Sequence, residues 1–92
     1  MMIFHNDDGH GWLEVRLPDI KKAGLNLRDF SHYSYFKRDK DEEGNTSNRY
    51  FLEEDCDAPR FLEGYKRSTG GLPTIREERF DGSHWIRNLN RL

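Results

Sequence analysis

The apolar positions of this chain come in short bursts between polar turn formers, and their spacing alternates between a strand period and a helical one. Met2-Ile3-Phe4-His5 suits a strand, and Asn6-Asp7-Asp8-Gly9 behind it is dense in turn formers, with Asp8-Gly9 a strong hairpin signal. Gly11-Trp12-Leu13-Glu14-Val15 reads as the return strand, with Trp12 and Glu14 on one face and Leu13 and Val15 on the other. Leu17-Pro18-Asp19 opens a short helix through Ala23, because proline fits a first turn and an aspartate suits the positive end of the helix dipole; Gly24 stops it. Asn26 to Phe30 fits neither period.

Ser31 to Lys37 alternates as a strand, with Tyr33 and Tyr35 on one face and His32, Ser34 and Phe36 on the other. Arg49 to Glu53 is its partner across a mobile, charged hairpin loop, 39–48. Asp57-Ala58-Pro59 starts a second helix, with Asp57 as its N-cap and Phe61, Leu62 and Tyr65 facing the sheet; Gly70-Gly71 ends it. Thr74 to Phe80 and His84 to Leu89 then read as strands joined at Asp81-Gly82. The order is ββαββαββ. The expected fold is α+β, a single domain over 1–92 in which three hairpins build a mainly antiparallel sheet with two short helices on one face.

Composition changes this picture in two ways. Only 34% of residues are hydrophobic, 35% are charged and the mean hydropathy is −1.04, yet 13% are aromatic, which disordered chains are not. The expectation is a thin aromatic core under a charged skin. The net charge of −2 divides unevenly, with 8 Lys/Arg against 13 Asp/Glu in residues 1–59 and 7 against 4 in residues 60–92. A total so near neutral argues against a dedicated DNA binder. The single cysteine, Cys56, permits no internal disulfide and points to a reducing, cytoplasmic setting. No apolar run approaches the ~20 residues of a membrane helix.

The most distinctive chemistry is Glu53-Glu54-Asp55-Cys56-Asp57, four carboxylates at a strand-to-helix junction. Glu53, Glu54, Asp55 and Asp57 form the expected partner-binding set, an anionic patch for a basic surface. The same carboxylates with a histidine could serve a metal-dependent hydrolase or nuclease, and Tyr33, Tyr35, Tyr50 and Phe51 beside Arg38 and Arg49 could stack single-stranded nucleic acid. Cys56 lies near a helix N-terminus, but the surrounding carboxylates disfavour its thiolate, so it reads as a small buried hydrophobe. Asp39 to Gly44 starts like a calcium loop, but Tyr50 stands where the bidentate glutamate belongs. His5, Asp7, Asp8 and His10 match no zinc spacing. No catalytic residue, metal ligand or cofactor is assigned. An edge strand over 84–89 could pair two copies as a homodimer.

Gly9-His10-Gly11-Trp12-Leu13-Glu14-Val15, Tyr33-Ser34-Tyr35, Tyr50-Phe51-Leu52-Glu53-Glu54-Asp55-Cys56-Asp57-Ala58, Phe61 and Ile86-Arg87-Asn88 together resemble a family of small proteins of bacteriophages, plasmids and bacterial genomes. The resemblance spans nearly the whole chain, and the run from Leu52 to Ala58 is its most specific part. The longer insertion Asp39–Asn48 and Arg16-Leu17 ahead of Pro18 depart from it. It implies a mobile-element setting and transfers no activity or catalytic residue. The combined expectation is a non-enzymatic accessory factor that binds or inhibits a host protein, in defence or nucleic-acid handling, through its acidic patch.

Overall fold

A computed structural model describes residues 1–92. One six-stranded mixed sheet carries two helices, an α+β architecture. The strands are β1 (Met2–Asn6), β2 (Gly11–Arg16), β3 (Tyr35–Lys37), β4 (Arg49–Glu53), β5 (Ile75–Arg79) and β6 (Asn90–Arg91), and the helices are α1 (Leu17–Lys22) and α2 (Asp57–Thr69). Across the sheet the order is β5-β1-β2-β4-β3-β6.

The first two hairpins form as expected. β1 and β2 pair antiparallel with Phe4 opposite Leu13, and β3 and β4 pair with Phe36 opposite Tyr50. Period-two alternation sorts their side chains. Leu13, Val15, Tyr50 and Leu52 face the helices and pack with Ile20, Ala23, Ala58 and Phe61. Trp12, Tyr35 and Phe51 face the other way and close over Ile86. The sheet therefore buries both faces, one under helices and one under the chain's last segment.

α1 enters through Pro18, with the Asp19 carboxylate accepting from the Arg16 N–H at 2.8 Å. α2 ends at Gly70, whose φ of 85° is the left-handed cap position and whose N–H donates to the Lys66 carbonyl. Where α2 crosses behind α1, Gly64 brings the backbones together: a Cβ there would lie 2.8 Å from the Ala23 carbonyl oxygen. The ambiguous stretch 26–30 holds a short 3₁₀ turn, Leu27–Asp29.

Three expectations differ from the structure. The strand expected over Ser31 to Lys37 begins only at Tyr35, because the buried Asp57 carboxylate captures Ser31 and Ser34 and bends residues 31–34 into a turn. The third hairpin is absent. β5 runs parallel to β1, with Met2 opposite Ile75 and Asn6 opposite Arg79, while β6 pairs with β3 on the far edge. The expected strand His84–Leu89 is a 3₁₀ turn, Trp85–Asn88, pulled across the sheet face by Asp7 and by burial of Ile86. The dimer edge expected at 84–89 is therefore not an edge, and the free edges belong to β5 and β6.

The segment 39–48 extends the β3–β4 hairpin and carries its own bonds. Lys40 and Thr46 form a bridge, and the Asp41 carboxylate accepts from the N–H groups of Glu43 and Asn45. Asp39 anchors its base on Arg49 at 2.6 Å, and Arg16 donates to Ser47 at 2.8 Å.

Candidate functional site

The acidic run sits where β4 turns into α2, and the turn scatters its carboxylates. Asp57 goes inward. It is only 2% exposed and accepts from the Ser31 N–H at 2.9 Å, the Ser31 hydroxyl at 2.7 Å and the Ser34 hydroxyl at 2.5 Å. Ser34 also accepts from the Glu53 N–H, so Asp57 ties the 31–34 turn to the end of β4. This corrects both roles expected of Asp57. It cannot meet a partner, and it is not the helix cap: Cys56 holds the flanking position, and Asp57 is the first helical residue.

Glu53 takes over part of the capping work, accepting from the Cys56 N–H at 2.9 Å. Its side chain and that of Asp55 line a groove of about 370 Å³ with His10, Trp12, Tyr33, Tyr35, Arg87 and Arg91. Glu54 departs to the other side, its carboxylate lying against Gly11, where a Cβ would come within 3.0 Å of Oε2. Two of the four expected residues thus share one groove, a third lies outside it against Gly11, and the fourth is internal.

Cys56 is exposed rather than buried. Desolvation and then the charges of Glu53, Asp57 and Asp55 push its thiol up, which disfavours the thiolate.

The groove's other wall rests on an ion pair between a buried carboxylate and a half-buried arginine that sequence reasoning missed. Asp7, 4% exposed, takes two bonds from Arg87, at 2.7 and 2.9 Å, and one from each of the N–H groups of Gly9, His10 and His84. The Arg87 hydrogen bonds, opposed by burial and helped by the three backbone donors, hold its carboxyl far below the ordinary range. The pair joins residue 7 to residue 87, a separation that no local pattern reveals; the only signal was the turn character of Asn6-Asp7-Asp8-Gly9. Arg87 in turn stacks on Trp12 with its guanidinium 5.3 Å from the ring centre, and Arg91 covers Tyr35 at 5.4 Å. Tyr33, 61% exposed, is the groove's open ring.

Elsewhere on this face, His5 bonds Glu14 at 2.8 Å, and Arg49 stands 3.6 Å from the same carboxylate. Burial pushes the Glu14 carboxyl up, but His5, Arg49 and Arg16 outweigh it and hold it low. Desolvation and the nearby His5 push His84 down.

The four aromatics considered for stacking do not form one platform. Tyr50 faces the helices, Phe51 is fully buried, Tyr35 is covered by Arg91, and only Tyr33 is open. No three His, Cys, Asp or Glu side chains converge to hold a metal ion. No helix is long and apolar enough to cross a membrane. Compared with protein-family models, with curated proteins and with solved structures, the chain matches none.

Proposed function

We propose that the chain is a non-enzymatic binding protein whose groove beside the β4–α2 turn receives a basic side chain of a partner protein. The observation that carries this reading is the exposed ring of Tyr33 in one groove with the carboxylates of Glu53 and Asp55. An aromatic face attracts a guanidinium or ammonium, and a carboxylate beside it adds a charge-assisted hydrogen bond. Asp57 serves this function indirectly, as the internal tie that fixes the turn on which Glu53 and Asp55 stand. Glu54 lies outside the groove but close to it in sequence, and its charge adds to the long-range negative field that steers a basic partner. The setting we assign is that of a phage or mobile-element accessory factor, and the partner is a host protein of nucleic-acid handling or defence, whose Arg/Lys-rich grooves supply such side chains.

Capture of host proteins by the immobilised chain tests this. The combined variant Glu53→Gln, Glu54→Gln, Asp55→Asn should lose the proteins that wild type retains at low salt. The matched variant Asp41→Asn, Glu42→Gln, Glu43→Gln, which removes as many charges from the hairpin tip, should keep them. Equal capture by wild type and the first variant would remove the reading.

A further inference from the structure

The sheet ends on one side in β5, and that edge is free. All five residues of β5 are exposed, so neither of its faces is covered, and β1 is its one neighbour in the sheet. The other free edge, β6, offers only Asn90 and Arg91. β1 uses alternate backbone positions of the β5 segment. The Thr74 carbonyl accepts from the Met2 N–H at 2.9 Å, and the Phe80 N–H donates to the Asn6 carbonyl at 2.8 Å. In a parallel ladder such bonds recur at every second residue, so the N–H and C=O groups of Ile75, Glu77 and Arg79 point outward. An exposed row of this kind is a template for a further strand.

Charges commonly guard such an edge by repelling whatever approaches. Those of β5 run Arg76, Glu77, Glu78, Arg79, which cancel in sum and complement an inverted copy of the same run. We propose that two copies of this chain pair through β5 as antiparallel strands about a two-fold axis, forming one continuous sheet. Backbone parity requires the axis to pass through a residue, because only Ile75, Glu77 and Arg79 have groups to exchange. An axis through Arg76 or Glu78 sets that residue against its own copy at the narrow, non-hydrogen-bonded position, with about 4.5 Å between Cα atoms. An axis through Glu77 avoids this. Ile75 then exchanges both N–H···O bonds with Arg79 of the partner subunit, Glu77 does so with its own copy, and Arg76 stands opposite Glu78 of the partner subunit at the narrow position. Arg76 and Glu78 already pair within one chain at 2.7 Å, so the two copies close a ring of alternating charges. The like pair of Glu77 falls at the wider position, about 5.5 Å, and each of its carboxylates accepts from the Asn6 side chain of its own chain. β5 contributes no residue to the Tyr33 groove, so this pairing stands apart from the binding reading.

Sedimentation equilibrium of the whole chain over a dilution series tests this, with amide spectra confirming that each variant is folded. Wild type should show a reversible monomer–dimer equilibrium. Glu77→Pro should be monomeric, because the N–H it loses faces the free edge and the β1 ladder keeps its own bonds. The single reversals Arg76→Glu and Glu78→Arg should each weaken the dimer about tenfold or more, because both attractive cross-strand pairs become repulsive. The combined variant Arg76→Glu, Glu78→Arg should restore it. The reversals and their rescue decide on their own if Glu77→Pro does not fold. A wild type that stays monomeric throughout the series, a dimer that survives in folded Glu77→Pro, or a double reversal no tighter than the single ones overturns the proposal.

Discussion

Among individual residues, burial decides which carboxylates build the molecule and which remain for a partner. Asp57 satisfies three donors from Ser31 and Ser34, so Asp57→Ala leaves those donors buried and unpaired. Hydrogen bonds to a charged group each contribute about 1.5–3 kcal/mol, and urea unfolding of Asp57→Ala should show a loss of at least about 3 kcal/mol. Glu54→Gln, by contrast, should stay within about 0.5 kcal/mol of wild type. Asp7 gives a pH signature. Its carboxyl is held well below its ordinary value of 3.8 by Arg87 and its backbone donors. A depressed native pKa adds stability that is fully present above the ordinary value and drains away as pH falls below it. Wild type should therefore lose thermal stability below about pH 4, where carboxylates normally titrate, and Asp7→Asn, less stable at neutral pH, should show a flatter acid limb. An unchanged acid limb in Asp7→Asn would contradict the assignment. Cys56 offers a third check. Desolvation and the adjacent carboxylates raise its thiol, so a disulfide reagent should label it slowly near neutral pH despite its exposure, and Glu53→Gln should speed the labelling.

At the level of elements, the local patterns were legible and the distant pairings were not. The two hairpins of residues 2–16 and 35–53 follow from alternation and turn chemistry, and α2 follows from Pro59, the spacing of Phe61, Leu62 and Tyr65, and Gly70. The Ile75–Arg79 strand was legible too, but its parallel partner β1 was not, because all five residues are exposed and the four after Ile75 are charged, so they carry no face preference. Residues 84–89 read as a strand behind the Asp81-Gly82 turn, yet the Asp7 carboxylate accepts from the His84 N–H and from Arg87 and draws the segment across the sheet face instead. The acidic run was legible as a cluster, but its division was not: whether Asp57 points in or out depends on Ser31 and Ser34, more than twenty residues earlier. Gly64 separates local from tertiary preference. Gly64→Ala improves helix propensity by up to about 1 kcal/mol, but the new methyl meets the Ala23 carbonyl. Overpacking of this kind costs about 1–3 kcal/mol. Thermal unfolding should show a net loss, whereas a gain would mean that α1 and α2 separate freely.

For the whole molecule, a sheet covered on both faces leaves little open aromatic surface, and the groove at Tyr33 is where ring and carboxylate meet. Arg87 is neutralised by Asp7, which leaves Arg91 as the groove's own uncompensated cation. Removing it in Arg91→Gln should strengthen binding of a basic partner and make that binding fall more steeply with added salt. The most direct measurement is an amide-shift titration of the labelled chain with an arginine-rich peptide at low salt. Shifts should centre on Tyr33, Glu53, Asp55, Cys56 and the Trp12 indole, and should vanish in the variant lacking the Glu53, Glu54 and Asp55 charges. Shifts centred instead on the equally acidic Asp41–Glu43 tip, or spread over every acidic residue, would contradict the account.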